Sequence, residues 1–346
     1  MSGALSPAGI RRLDRSGMLE VVLGLPGQVR QGFGLARPRL DVAPPESVVV
    51  LGMGGSAIGG DLLSSIMSEK GGPGVMVNRD FTLPAHVGRE TLVFAVSYSG
   101  NTAETLSACA EAKKRGCTVV TISSGGILQR AHGGRNHIRL PAGYQPRAAL
   151  ALMLLPMLGV LGDLGVADPG REVGEAVRVL SRMRGMLGPG TDAPANSAKA
   201  VARGFLGAFP TVLSGPRLAP AARRWRTQLN ENAKVLSRQE VLPEMAHNDL
   251  VAWAADPMAS NCAVVLLRDR KEDPRLARRF ELSRRLGLWR ARSVFEVRSR
   301  GRSALARLLS CVFVGDLASL HLAVLRGVDP TPVEVIGRMK RELAGD

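Results

Sequence analysis

The chain predicts an α/β fold: parallel sheets with helices packed on both faces. Three observations carry that expectation. Val48-Val49-Val50-Leu51 runs directly into Gly52-Met53-Gly54-Gly55-Ser56-Ala57-Ile58-Gly59-Gly60-Asp61, and Leu92-Val93-Phe94-Ala95-Val96 into Ser97-Tyr98-Ser99-Gly100-Asn101-Thr102-Ala103-Glu104-Thr105. Short runs of β-prone apolar residues suit strands buried on both faces, and a helical period follows each. Strand, turn and helix then alternate from residue 48 to about 140, the order that a parallel sheet requires. Finally, Pro210-Thr211-Val212-Leu213-Ser214-Gly215-Pro216 is another apolar run ending in Ser-Gly, and it opens a second half of the same pattern.

Taken in order, residues 1–45 form an N-terminal helical extension and linker. Residues 8–36 carry apolar positions at mixed helical spacing, with Gly24, Gly27, Gly32 and Gly34 weakening any long helix. Ala36 to Ser47 is Pro-rich and leads into the first strand. The first unit, 46–165, has strands expected at 48–52, 74–78, 92–97, 117–122 and 136–140, and helices near 56–68 and 102–115. After Pro146 a strongly apolar helix is expected from Arg147 to Pro156, with Arg147 its only charge. Residues 166–208, charged and broken by Pro and Gly, read as connecting helices. The second unit, 209–346, has a helix from about Ala219 to Lys234, strands at 262–267 and 292–297, and helices near 274–286 and 303–326. A short helix from about Pro332 to Leu343 ends it.

Composition narrows the function classes. Apolar residues make up 45% of the chain, with a mean hydropathy of +0.06, so the chain is globular. No apolar run is expected to reach the roughly 20 residues that span a bilayer. The N-terminal apolar patches are broken by Asp14 and Glu20, unlike a signal peptide. Cys109, Cys117, Cys262 and Cys311 form no CxxC pair and lie in or beside apolar runs, which suits reduced thiols in a cytoplasmic protein. The net charge of +16 raises nucleic-acid binding, through Arg217, Arg223, Arg224 and Arg226 or through Arg278, Arg279, Arg284 and Arg285. No nucleic-acid module accompanies these arginines, and they stand at helical spacing beside acidic residues. Solvated faces with a general attraction for small anions are the expectation.

The two glycine-rich turns carry the chemistry. Backbone N–H groups at a helix N-terminus make an anion site, because unpaired donors and the positive end of the helix dipole face the ligand. Gly52-x-Gly54-x-x-Ala57, with Asp80 after the next strand, also fits a dinucleotide fingerprint. Ser97, Ser99, Asn101 and Thr102 in the second turn weigh against that alternative. Several hydroxyls before one helix suit a terminal phosphate rather than a pyrophosphate.

The second turn resembles the phosphosugar-binding loop of sugar isomerase (SIS) domains. Together with the first turn, Asn230-Glu231-Asn232-Ala233-Lys234, Glu244-Met245-Ala246-His247-Asn248-Asp249 and Met339-Lys340-Arg341-Glu342-Leu343, it makes residues 45–346 resemble the bifunctional phosphoglucose/phosphomannose isomerases. The resemblance implies two SIS-type subdomains, each a doubly wound, flavodoxin-like parallel sheet. It also implies isomerisation of glucose 6-phosphate, and of mannose 6-phosphate, to fructose 6-phosphate.

The roles follow residue by residue. Gly54, Gly55, Ser56, Ser97, Ser99 and Thr102 match the substrate- and phosphate-binding positions. Glu231 matches the base that moves a proton between C1 and C2, a task suited to a carboxylate. Arg147 matches the cation that stabilises the enediolate. His247 and Lys340 match the residues that open the sugar ring, and Thr331 is a candidate for epimer choice. The family also implies a homodimer in which the partner subunit's His247 completes the site.

No cofactor and no metal are expected, since His132 and His137 stand in a Gly-rich turn without nearby carboxylates. No nucleic acid and no membrane are expected as partners. Two alternatives stay open at this point: a phosphosugar-binding regulator without turnover, and a nicotinamide-dependent oxidoreductase. The regulator would need none of Glu231, His247 or Lys340.

Overall fold

The computed structural model describes residues 3–131, 134–192 and 195–344. Three short helices open the chain: α1 (Pro7–Leu13), α2 (Met18–Leu23) and α3 (Leu25–Phe33). The glycines do cut this region short, as expected, but it is no loose extension. Met18, Leu19, Val22, Leu23, Leu25 and Val29 are all buried in the main core.

The first sheet follows the expected alternation. Its elements are β1 (Ser47–Leu51), α4 (Gly54–Lys70), β2 (Gly74–Asn78), β3 (Thr91–Val96), α5 (Ala103–Lys114), β4 (Thr118–Ser123), α6 (Gly126–Ala131) and β5 (His137–Arg139). The strand order is β2-β1-β3-β4-β5, and each pair is parallel. The order reverses between β1 and β3, so a crevice opens at their carboxyl ends, where open α/β sheets bind ligands. Both glycine-rich turns leave from those two strands. His132, named with His137 above, lies outside the described residues; His137 Nδ1 stands 2.8 Å from Thr121 Oγ1.

The helix expected from Arg147 to Pro156 is corrected on two points. Pro146–Ala148 forms a 3₁₀ turn, and the α-helix α7 starts only at Leu150 and runs through Pro156 to Asp163. Ala149, at φ −98° and ψ 24°, leaves helical geometry and holds the turn apart from α7. Arg147, in that turn, is buried and 3% exposed.

After α8 (Gly170–Leu187) and α9 (Ser197–Phe205) comes the second sheet. It comprises β6 (Phe209–Ser214), α10 (Ala219–Ala233), β7 (Arg238–Val241), α11 (Asp249–Ala255), β8 (Cys262–Arg268), α12 (Pro274–Leu286) and β9 (Ser293–Arg298). The order is β7-β6-β8-β9, again all parallel. Strand β7 was not expected from the sequence. Its residues Arg-Gln-Glu-Val form a half-buried edge strand, where polar side chains are tolerated.

Helices α13 (Ala304–Leu325) and α14 (Glu334–Ala344) complete the chain. By length and hydropathy α13 could cross a membrane, against the composition-based expectation, yet 94% of its most apolar stretch is buried inside the protein. It packs on α10, α8, α9 and α2, and so joins the two halves in one core. Its charges are paired: Arg307 meets Asp269 at 2.8 Å and also Glu69, and Asp316 meets Arg224 at 2.7 Å. Arg224, placed above among solvated arginines, is thus a core residue that is 2% exposed.

Candidate active site

The loop after β3 is built by two glycines and a hydroxyl. Gly100 holds φ at +72°, and a Cβ there would lie 1.9 Å from the Gly125 carbonyl oxygen, so only glycine fits. Ser97 Oγ accepts from the Gly100 amide at 3.1 Å and stands 2.9 Å from Thr102 Oγ1. That internal use makes buried Ser97 a brace for the loop. Ser99 is exposed and Thr102 half-buried at the N-cap of α5, and Thr102 makes no capping hydrogen bond with its side chain. Ser99 Oγ accepts from the Asn101 amide at 3.3 Å, and each hydroxyl retains hydrogen-bonding capacity at a helix N-terminus.

On the neighbouring strand, Gly54 at φ +51° turns the chain into α4. A Cβ on Gly55 would stand 3.2 Å from the Arg147 Cα and from the Pro146 carbonyl oxygen. The bare glycine therefore lets the 146–148 turn lie against the start of α4. Ser56 is buried, with its hydroxyl 3.2 Å from Met153 Sδ.

Glu231 reaches the same place from the last turn of α10, its Oε2 3.8 Å from Arg147 Nη1. The Glu231 side chain is 27% exposed, while the arginine behind it is 3% exposed. Burial pushes the Arg147 guanidinium below its usual range, with Glu231 opposing that shift and Arg224 adding to it. An arginine retains its charge under such a shift. The arrangement is a fixed cation behind a carboxylate, beside a helix N-terminus and a hydroxyl-lined loop. Chemically it can hold a phosphate at one end and move a proton next to a developing oxyanion at the other.

Bifunctional phosphoglucose/phosphomannose isomerases of known sequence align with nearly the whole chain. The one from Caldicellulosiruptor bescii is 36% identical, covering 94% of this chain and 99% of the relative. That from Aquifex aeolicus is 34% identical over 88% of this chain and 92% of its own. The chain belongs to the bifunctional phosphoglucose/phosphomannose isomerase family. Residues 42–160 match the SIS domain, and residues 194–343 the bacterial phospho-glucose isomerase C-terminal SIS domain. Among solved structures, a glucose-6-phosphate isomerase like protein from Thermus thermophilus superposes with a TM-score of 0.63 at 22% identity. That match covers 97% of this chain and 98% of the other, a likeness of fold.

Not every residue expected at the site is gathered there. Gly54, Gly55, Arg147 and Glu231 come together, and the loop bearing Ser97, Ser99 and Thr102 leaves the adjacent strand. His247 sits exposed in a 3₁₀ turn after β7, and Lys340 is exposed on α14. Neither side chain makes a hydrogen bond or ion pair within the chain among the described residues. Asp80, the ribose acid of the dinucleotide alternative, accepts instead from the Phe81 amide at 2.6 Å. Thr331 is buried with its hydroxyl unpartnered among the described residues, while its carbonyl accepts from Arg147 Nη2 at 2.7 Å.

Two groups at this site were not singled out for it from the sequence. Lys234, in the left-handed region at φ 55°, ties the end of α10 to the Asp329 and Pro330 carbonyls at 3.0 and 3.1 Å. Asn232 is fully buried and accepts from Arg147 Nε at 2.8 Å. Polar Ser319 and Asp316 inside apolar α13 were the legible hint that a buried polar network had to exist.

Proposed function

We propose that this protein interconverts glucose 6-phosphate and mannose 6-phosphate with fructose 6-phosphate, with Glu231 as the base. The observation that carries the reading is the Glu231 carboxylate set 3.8 Å in front of the buried Arg147 guanidinium, whose turn lies against the start of α4. Ser99, Thr102 and the amides after Gly54 hold the substrate phosphate. Glu231 takes the proton from one carbon and returns it to its neighbour, while Arg147 stabilises the cis-enediolate between these steps. Thr331, whose carbonyl accepts from Arg147 and whose hydroxyl has no partner among the described residues, contributes to acceptance of both C2 epimers. Family membership supports the substrate class.

Ring opening falls to His247 and Lys340, and we assign the working unit to a homodimer in which the partner subunit's His247 enters the site. Two observations support the dimer. His247 meets no site residue of its own chain among the described residues. On α14, Val335, Met339 and Leu343 recur at four-residue spacing and are 82%, 55% and 80% exposed. Such a stripe on one helix face suits cover by a second copy. Reduced thiols and phosphorylated substrates favour a cytoplasmic setting.

The direct test is to incubate the purified protein with fructose 6-phosphate and separate the products. Glucose 6-phosphate and mannose 6-phosphate should both accumulate without added cofactor. Binding of the sugar phosphate without turnover would return the reading to a regulatory module.

A further inference from the structure

The guanidinium of Arg147 is consumed on three of its five N–H groups. Nε donates to Asn232 Oδ1 at 2.8 Å, and Nη2 to the Pro330 and Thr331 carbonyls at 2.9 and 2.7 Å. Among the described residues only Nη1 has no hydrogen-bond acceptor, and Nη1 is the nitrogen that faces Glu231. Behind it the order continues. Asn232 Nδ2 donates to Ser319 Oγ at 2.9 Å, and Ser319 Oγ donates to the Asp316 carbonyl at 2.7 Å. The Asp316 carboxylate holds Arg224, whose Nη2 donates to the Arg147 carbonyl at 2.8 Å. Asn232, Ser319, Arg224 and Asp316 are each 3% exposed or less, so solvent offers no substitute partners.

We infer that Asn232, locked by Ser319, is a positioning residue that presents Nη1 of Arg147 to the reacting oxygens of the substrate. The inference rests on the proposed role of Arg147. The physical reason is that a guanidinium is a planar fork, so fixing Nε and Nη2 fixes the direction of the Nη1 donors. With Nε unpaired, the plane can rotate about its Nη2 bonds, and Nη1 leaves the line to Glu231. Asn232 also follows Glu231 directly on α10. The base and the device that aims the cation are therefore neighbours on one helix turn, anchored together.

The test compares Asn232→Leu and Ser319→Ala with Arg147→Ala and the wild type. Asn232→Leu should lower kcat on the order of 10- to 100-fold, the scale of a displaced catalytic group. Its KM for fructose 6-phosphate should change little, because the phosphate loop on β3 is untouched. Ser319→Ala keeps the Asn232 acceptor but frees it to turn, and a smaller fall in kcat at constant KM is expected. This variant carries the test should Asn232→Leu not fold. Added millimolar guanidinium should restore part of the activity of Arg147→Ala. It should do so less in the Arg147→Ala, Ser319→Ala double variant, where the acceptor is no longer held. Wild-type kcat in both Asn232→Leu and Ser319→Ala, beside a crippled Arg147→Ala, would overturn the positioning role alone. Wild-type kcat in Arg147→Ala would overturn the assignment of Arg147 as well.

Discussion

At the scale of single residues, the division of labour sets distinct outcomes for substitutions of the loop and of the base. Glu231→Gln keeps the size and hydrogen-bonding capacity of the side chain but cannot take a proton. Turnover should fall by roughly 10² to 10⁴, the usual contribution of a positioned base, while fructose 6-phosphate still binds. In D₂O the wild type should place deuterium at C2 of the aldose product, and full label-free transfer would count against a carboxylate exchanging with solvent. Ser99→Ala and Thr102→Val should act on KM instead. Each removes a hydrogen bond to a charged group worth about 1.5–3 kcal/mol, and inhibition by inorganic phosphate should weaken in parallel. Unchanged KM in both would remove the loop from the site. The pairing of Glu231 with Arg147 was not legible as a contact, since 84 residues separate them. Glu231 was named from its motif and Arg147 as the charge at the start of an apolar helix.

At the scale of elements, α13 and α10 are where buried charge does structural work. The Arg224–Asp316 pair is 2% and 5% exposed at its side chains. Asp316→Ala leaves Arg224 buried without a counter-charge, a change that typically costs 3–5 kcal/mol. Urea denaturation should show that loss, and a loss below about 1 kcal/mol would mean that water reaches the arginine. His321, also on α13, is fully buried with both ring nitrogens unpartnered among the described residues. Burial, with Lys199 adding, lowers it from 6.5 to about 3. The folded form therefore disfavours the imidazolium, and the unfolded chain binds that proton first as pH falls. The contribution of His321 to stability is whole above pH 6.5 and declines toward pH 3, by up to about 1.4 kcal/mol per pH unit. His321→Leu should flatten the stability curve over that window, and an identical slope in both proteins would exclude this account. The sequence predicted a helix near 303–326, and Asp316 within it hinted at a buried partner, but neither Arg224 as that partner nor the burial of His321 was legible there.

For the whole molecule, the proposed homodimer makes two predictions, one for His247 and one for the exposed face of α14. Subunit mixing tests this directly. Glu231→Gln and His247→Ala should each be weak alone. When the two are unfolded and refolded together, hybrid dimers should regain activity. One site of each hybrid then holds an intact Glu231 and, from the partner, an intact His247. No recovery would mean that His247 serves its own chain. Met339→Glu places a charge in the apolar stripe of α14 and should shift the protein toward monomer in sedimentation velocity, with activity lost in step. An unchanged dimer would place the interface elsewhere.

The sequence by itself determined the α/β class, the parallel alternation and all five strands of the first sheet. These depend on local signals: β-branched apolar runs, glycine turns and helical spacing. It also determined the glycines of both turns, because Gly100 and Gly54 hold positive backbone angles that their own turns impose. Only the tertiary structure decided what surrounds Arg147. Its position in a 3₁₀ turn, its burial and the orientation of its free nitrogen follow from contacts with residues 85 and 184 positions away. The same holds for Arg224, which spacing placed on a solvated face and packing placed in the core. Strand β7 belongs with them, since Arg238-Gln239-Glu240-Val241 carries no apolar period and becomes a strand only because β6 offers it an unpaired edge. Periodicity reports which face of an element is apolar. Which charged side chains are drawn inside depends on the partners that the fold brings to them, and those partners lie on other elements.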